Sequence, residues 1–127
     1  MQMIQQLGQV MIYVDNQDAA KSFWTEKVGF TVRSEVNNGQ FRMIEIAPTR
    51  DAETTFVLQN KQLVAQMEPN LNLGTPSLMF FTDDVESLYE EFKAKEITVG
   101  DLVEIPSGKV FNFADDENNY FAVMEKK

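Results

Sequence analysis

The sequence contains neither cysteine nor histidine among its 127 residues. Without cysteine, the chain has no disulfide framework, no thiolate nucleophile and no zinc–sulfur site. Without histidine, it lacks the commonest general base and the commonest transition-metal ligand in proteins. The two absences argue against thiol chemistry and against a histidine-based metal centre.

Basic residues are scarce as well, with 11 Lys and Arg against 20 Asp and Glu, a formal charge of −9. An acidic chain repels phosphate backbones and anionic membranes, so we expect no nucleic-acid or membrane partner. No window approaches the roughly 18–20 apolar residues of a membrane span. Met1–Gly8 lacks the basic and apolar regions of a signal peptide. We expect one cytoplasmic domain over residues 1–127.

The sequence contains two similar runs of residues that are typical of β-strands. Gln9–Val14 and Ser77–Thr82 are both rich in apolar, β-branched or aromatic residues. Asp15-Asn16 follows the first run and Asp83-Asp84 follows the second. Such short polar side chains suit helix N-caps, and Asp83 with Glu86 has the spacing of a capping box.

A helix is predicted after each polar pair. In the second copy the apolar spacing i, i+3, i+4, i+7 gives one buried face, formed by Val85, Leu88, Tyr89 and Phe92. The matching positions of the first copy are Ala20, Phe23, Trp24 and Lys27, with Val28 completing the apolar end. Gly29 stands where a left-handed C-cap is favoured. Glu96 stands near that position in the second copy, so we expect that helix to end differently.

Pairs of strands are predicted after each helix. Phe30–Val36 and Phe41–Ala47 flank Asn37–Gln40, and the Asn-Gly step within it is a strong hairpin signal. The remaining predicted elements are the strands Ile97–Ile105 and Lys109–Ala114 around the turn Pro106–Gly108, and the last strands Thr54–Gln59 and Asn119–Glu125.

The order of elements is therefore β-α-β-β-β, twice. The separation in sequence from Gln9 to Phe41 equals that from Ser77 to Lys109, so the repeat keeps its spacing. We expect module one at about residues 7–59, a linker at 60–76 and module two at about 77–127. Pro69, Gly74 and Pro76 mark the linker as a loop, while Leu63, Val64 and Met67 suggest one helical turn within it.

With this organisation the chain resembles the vicinal oxygen chelate superfamily, which includes glyoxalases, bleomycin-resistance proteins and dioxygenases. Tyr13–Asp15, Phe23-Trp24 and Val28–Phe30 are similar to the family's opening motif YV-D…FY…LGF. Phe113–Asn119 is similar to its F-DPDGN turn, with Asp116 in place of proline and Asn118 in place of glycine. Asparagine tolerates positive φ, so the turn can be preserved.

The resemblance implies an α+β fold in which curled mixed sheets form a cup and the helices pack on the convex side. Metal-dependent members hold the ion with residues of the first and last strands of each module. Carried onto this chain, those positions are Gln9, Phe56, Ser77 and Ala122. The alignment of the last strands could slip by one residue, but the alternatives Thr55, Val57, Phe121 and Val123 do not complete a site. A divalent site needs about three protein ligands, and only Gln9 is a credible one. We therefore expect no metal and no cofactor.

The resemblance also places a candidate ligand site in the cup. Alternation along the strands selects its predicted lining, which is apolar and rich in methionine: Gln9, Met11, Tyr13, Phe56, Ser77, Met79, Phe81 and Ala122. The same residues could instead simply fill a core. One of Arg42 and Glu45 could also reach the cup, since they lie on opposite faces of one strand. We interpret Trp24 as a core anchor and Asp115–Glu117 as a solvated turn.

Three functions remain open from the sequence. The first is sequestration of a hydrophobic or aromatic molecule, as in bleomycin-resistance proteins, with a homodimer forming or completing each cup. The second is a metal-dependent lyase, isomerase or extradiol dioxygenase of glyoxalase type, which the ligand positions do not support. The third is a partner-binding domain without a small ligand.

Overall fold

The computed structural model describes residues 3–126. Met1, Gln2 and Lys127, which the predicted domain includes, lie outside the described residues. Contacts divide the chain into two compact units, with the boundary between Gly74 and Thr75, inside the predicted linker. None of the helices within residues 3–126 is long and apolar enough to cross a membrane.

The first unit contains a β-α-β-β-β module followed by a short helix. Its elements are β1 (Gln9–Val14), α1 (Gln17–Ser22), a π-helical segment that continues α1 (Phe23–Val28), β2 (Thr31–Asn37), β3 (Arg42–Ala47), β4 (Thr55–Asn60) and α2 (Lys61–Met67). The strand order is β1-β4-β3-β2, with β1 and β4 parallel and the other neighbours antiparallel. The helix α2 confirms the helical turn predicted in the linker.

The second unit repeats the arrangement. Its elements are β5 (Met79–Thr82), α3 (Val85–Ala94), β6 (Val103–Ile105), β7 (Gly108–Ala114) and β8 (Tyr120–Glu125). The strand order is β5-β8-β7-β6, again with one parallel pair, β5 and β8. The predicted α+β class and the two β-α-β-β-β modules are confirmed.

The core of the first unit lies between its helix and one face of its sheet. Trp24 is fully buried, and its ring meets those of Phe23, Phe30 and Phe56 at centroid distances of 5.0–5.5 Å. The same sheet face buries Ile12, Ile44, Ile46 and Leu58. The interpretation of Trp24 as a core anchor is confirmed. We call this side of each sheet the helix face and the other side the open face.

Phenylalanine dominates the corresponding core of the second unit. Phe92 of α3 meets Phe111 and Phe113 edge-on, at 5.8 and 5.2 Å between centroids. Phe113 stacks on Phe121 at 5.6 Å. Offset-stacked and edge-to-face pairs are the favoured aromatic geometries, so these rings stabilise the unit beyond the area they bury.

The N-cap of each main helix is the second residue of its polar pair. The Asn16 side chain accepts a hydrogen bond from the amide of Ala19, and Asp84 accepts one from the amide of Ser87. The capping box predicted at Asp83 is wrong. Glu86, its proposed partner, instead forms an ion pair with Lys109.

The two helices end alike, which corrects the expectation for the second. Gly29 has φ +95° and accordingly ends the first helix in the left-handed conformation. Glu96 adopts φ +63° at the equivalent place. The amide of Glu96 donates to the carbonyl of Lys93, and that of Ile97 to the carbonyl of Phe92, both at 3.0 Å. This is the Schellman pattern, formed here with a residue that carries a Cβ.

Replacing Glu96 with glycine should therefore stabilise the protein. A left-handed residue with a Cβ costs about 1–2 kcal/mol, and glycine's greater freedom in the unfolded chain offsets part of that relief. We expect a net gain of about 0.5–1 kcal/mol in the free energy of unfolding, measured by urea denaturation. The matched control is Gly29→Ala, which should be destabilising. A Glu96→Gly protein less stable than wild type would contradict this account of the helix end.

The first hairpin forms as predicted, and the second is shorter. Gly39 has φ +92° between β2 and β3, a conformation that favours glycine. In the second unit, only Val103–Ile105 of the predicted strand Ile97–Ile105 pairs as a strand, with a separate bridge from Val99 to Phe113. Ser77 precedes β5 rather than lying within it.

The turn between β7 and β8 is organised by a buried carboxylate rather than being fully solvated. Asp115 is 5% exposed. Its carboxylate accepts from the amides of Glu117 and Asn119 at 2.9 and 2.8 Å, and from the Asn119 side chain at 3.2 Å. Asn118 has φ +64°, as expected for asparagine in the position of glycine. The predicted turn is correct, but its first acidic residue is structural.

The neighbouring Asp116 makes stability depend on pH. Although the residue is exposed overall, partial burial of its carboxyl group and the adjacent Asp115 raise the pKa of Asp116 to about 6. The ordinary value is 3.8, so between these pH values the folded state holds a proton that the unfolded state releases. This group therefore lowers the stability of the folded state as pH rises through that window.

Asp116→Asn removes the ionisation and should stabilise the protein above about pH 6. We expect a gain of about 1 kcal/mol, because solvent screens a group this exposed, and we expect most of it to disappear by about pH 4. Urea midpoints at the two pH values measure the difference. Asp101→Asn, at an exposed loop position, is the control. Equal effects of Asp116→Asn at both pH values would show that the pKa is not raised.

Candidate functional site

The open face of the first sheet carries the residues predicted from β1. Gln9, Met11 and Tyr13 alternate with the inward-facing Val10, Ile12 and Val14. Parallel pairing sets Gln9 beside Thr55 and Met11 beside Val57. A cavity of about 190 Å³ opens on this face, lined by Gln9, Met11, Ser34, Val36, Met43, Glu45 and Val57.

A single carboxylate stands among these mostly apolar residues. Glu45 accepts from the Thr55 hydroxyl at 2.8 Å, from the Ser34 hydroxyl at 3.1 Å and from the Gln9 amide at 3.4 Å. The Thr55 hydrogen bond is the main cause that holds the pKa of Glu45 below its usual value, against the opposing effect of burial. Hydrogen bonds from Ser34 and Gln9 act in the same direction. Glu45 is therefore held ionised and fixed in orientation.

Arg42 lies on the opposite face, which settles the choice between Arg42 and Glu45. Its guanidinium pairs with Asp18 at 2.7 Å and with Glu35 at 2.8 Å. Glu35 also accepts from Lys21 of α1 at 2.9 Å. These ion pairs connect β2 and β3 to α1, and Arg42 is not among the residues that line the cavity.

The open face of the second sheet is more apolar. Met79 lies beside Ala122, and Phe81 lies beside Met124, in the parallel pair of β5 and β8. Met79 is 45% exposed and Phe81 is 65% exposed, high values for such large apolar side chains. An open cavity of about 400 Å³ on this unit is lined by Phe81, Ser107, Met124, Glu125 and Lys126.

Most of the predicted lining residues lie on the open face of the sheet in their own unit. Gln9 and Met11 line the first cavity, and Tyr13 lies half-buried further along the same face. Met79, Phe81 and Ala122 share the open face of the second sheet, while Ser77 is exposed just before β5.

Phe56 is the exception, because it lies on the helix face. It pairs with Val10, is 6% exposed and packs edge-on against Trp24 at 5.4 Å. Val57 occupies the open-face position beside Met11, so the residue that matches Ala122 is Val57. A shift of one residue along a strand moves every side chain to the other face, and the alignment of the last strands was wrong by that one residue.

Four further lining residues of the first cavity were not predicted: Ser34, Val36, Met43 and Val57. The sequence holds a signal for one of them. In β3, Ile44 and Ile46 alternate with Met43 and Glu45, so the fully apolar pair marks the buried face and leaves Met43 and Glu45 outward. The other positions depend on which strands pair, which local alternation does not specify.

Comparison with known proteins identifies the family. A sequence profile of the Glyoxalase/Bleomycin resistance protein/Dioxygenase superfamily matches residues 6–123. The chain belongs to this superfamily. It is 33% identical over 125 residues to the uncharacterized protein YetH of Bacillus subtilis (strain 168), covering 97% of this chain and 100% of YetH.

Solved structures share the fold. TnmS3, an antibiotic binding protein from Streptomyces sp. CB03234, superposes with a TM-score of 0.84 at 23% identity, covering 100% of both chains. UcmS2 superposes with a TM-score of 0.80 at 27% identity, covering 96% of this chain and 98% of UcmS2. Because so few residues are shared with TnmS3, that likeness shows the architecture alone.

The positions that the resemblance to the superfamily assigns to metal ligands offer few donor atoms. With the last strand realigned, these positions hold Gln9, Val57, Ser77 and Ala122, two of which carry no donor atom. The Gln9 amide is already directed at Glu45. Within residues 3–126, no three or more His, Cys, Asp or Glu side chains are grouped so as to hold an ion.

Proposed function

We propose that the protein binds and sequesters a small hydrophobic or aromatic molecule on the open faces of its sheets. The observation that carries this proposal is the exposure of large apolar side chains on those faces. Met11, Met43, Met79 and Phe81 are 37–65% exposed although each lies in a strand. Contiguous exposed apolar surface commonly marks a binding site.

The side chains on these faces suit binding better than chemistry. Methionine adapts its shape to different ligands, and an exposed phenylalanine offers a flat contact surface. Among residues 3–126, Glu45 is the one ionisable residue that lines the first cavity, and its pKa is lowered. A general base is more effective when its pKa lies near the working pH. TnmS3 illustrates that this fold supports antibiotic binding in another protein.

The metal-dependent alternative is tested directly by elemental analysis. We expect the purified and dialysed protein to hold no stoichiometric zinc, nickel, iron or manganese, because two of the four ligand positions implied by the resemblance carry no donor atom. Inductively coupled plasma mass spectrometry measures the metal content per chain. About one tightly held transition metal per chain would overturn this expectation and favour a lyase, isomerase or dioxygenase.

Binding is tested with a neutral two-ring aromatic probe, 2-naphthylmethanol. The first cavity is slightly larger than one of about 150 Å³ that holds benzene, and its open mouth leaves room for the second ring. A probe that binds only the folded state raises the thermal midpoint with concentration. Met43→Asn should reduce that rise, whereas Leu71→Asn, at an exposed linker position, should not. No rise at millimolar probe would favour a protein-binding domain instead.

We also propose a homodimer that forms or completes the binding surface across the subunit boundary. Within residues 3–126, the outer strands β1, β2, β5 and β6 pair with a neighbour on one side only. Met3 and Ile4 are 86% and 88% exposed just before β1. Open edges and exposed apolar residues favour pairing between copies. Light scattering after size exclusion should give the mass of two chains, and a one-chain mass at every concentration would reject the dimer.

The cytoplasmic location stays a prediction.

A further inference from the structure

The first cavity combines an apolar wall with one negative charge. Glu45 lies in the middle of the sheet, on β3, with Val57 of β4 and Ser34 of β2 as its neighbours across the strands. Met11, Met43 and Val36 line the cavity around it. Glu45 is half-buried, and a carboxylate beside apolar surface is stabilised most when it meets two requirements, being hydrogen-bonded and being matched by an opposite charge. The first of these requirements is met within the chain.

The second requirement is not met by the described part of the chain. No Lys or Arg within residues 3–126 forms an ion pair with Glu45. Arg33 acts on it only through its charge, since the Arg33 guanidinium donates to the carbonyl of Ala52. A carboxylate offers about four acceptor sites, and three neutral donors reach this one: Gln9, Ser34 and Thr55. One acceptor direction is left for a ligand.

We infer that the ligand of the first cavity is an organic cation, with an ammonium or amidinium group that donates to Glu45 and an aromatic or aliphatic body that packs against Met11 and Met43. This inference rests on the proposed function and narrows it to one class of small molecule. The donors around Glu45 fix its orientation in advance, so binding the cation requires little further ordering. The net charge of −9 attracts cations toward the chain and repels anions.

The test compares three probes that share one aromatic skeleton and differ in charge. They are 2-naphthylmethylammonium, 2-naphthylmethanol and 2-naphthoate, titrated into the full chain and followed by calorimetry and by naphthalene fluorescence. We expect the cation to bind about tenfold or more tightly than the neutral alcohol, the size of effect expected for one charge-assisted hydrogen bond at a partly exposed site. The anion should bind more weakly than the alcohol.

Glu45→Gln keeps the shape of the side chain and removes its charge. In that variant the cation should lose its advantage, so that cation and alcohol bind within about twofold of each other. Glu26→Gln is the matched control, because it changes the net charge equally at an exposed position on the helical segment. Binding of the alcohol to Glu45→Gln also shows that this variant is folded.

The outcomes separate the inference from the proposed function. If the cation and the alcohol bind wild type equally, selectivity for cations is rejected while binding of aromatic molecules stands. If both Glu45→Gln and Glu26→Gln lose the preference, a general charge effect replaces the specific contact and the inference is rejected. If none of the probes binds wild type, the proposed function of this face is rejected with it.

Discussion

Replacing Trp24 with alanine should lower the free energy of unfolding by about 3–5 kcal/mol, the range for truncating a fully buried large aromatic side chain. Trp24 is 0% exposed and contacts three phenylalanine rings, from the π-helical segment, from the residue that precedes β2 and from β4. Removing the indole leaves a void between the helix and the sheet that these rings cannot fill without moving. A loss of this size is a large part of the total stability of a domain of this length.

Circular dichroism during urea denaturation is the appropriate measurement, because Trp24 is the single tryptophan and fluorescence is lost with it. Trp24→Phe is the matched control. It keeps a ring in the same place, and we expect it to cost less than about half as much as alanine. A Trp24→Ala protein within about 1 kcal/mol of wild type would mean that the helix does not pack on this sheet as described.

Asp115→Ala should lower the free energy of unfolding by about 2–3 kcal/mol. The carboxylate is buried and accepts from two backbone amides of its own turn, so alanine leaves both donors without that acceptor. The same change also removes a charge near Asp116, which moderates the loss at neutral pH.

Asp115→Asn separates the hydrogen bonds from the charge. Its amide oxygen can still accept from the Asn119 amide, so the loss should be smaller than with alanine. Asp83→Ala is the control at a residue that does not cap α3, with an expected change of less than about 0.5 kcal/mol. If Asp115→Ala and Asp83→Ala unfold at the same urea concentration, the turn does not depend on its buried carboxylate.

The order of the elements could be predicted because its signals are local. Alternation within Gln9–Val14, the Asn-Gly step of the first hairpin and the helical spacing from Val85 to Phe92 each specify a few neighbouring residues. The ends of the helices were harder to predict from the sequence. Asn16 and Asp84 were each one of two adjacent candidates, and only the path of the backbone selects between them. The left-handed Glu96 shows packing around Phe92 and Ile97 overriding the local preference of glutamate.

The candidate site depends on contacts that are distant in the sequence. Met11 and Phe81 were placed correctly, since a residue's face follows from alternation once its strand is known. Phe56 was misplaced because its face depends on pairing with β1, which lies far earlier in the sequence, and a slip of one residue inverts the answer. The role of Glu45 requires Ser34, Thr55 and Gln9 to meet, and these come from three other strands.

The π-helical segment accounts for a difference in length between the two main helices. The stretch from the cap Asn16 to the left-handed Gly29 is longer by a single residue than the stretch from Asp84 to Glu96. A π-turn holds one more residue than an α-turn, so Phe23–Val28 absorbs a single-residue insertion relative to the second module. Both main helices therefore begin with a side-chain N-cap and end at a left-handed residue. The extra residue of the first helix is accommodated by a wider turn, and Trp24, the largest side chain of the core, lies in that wider segment.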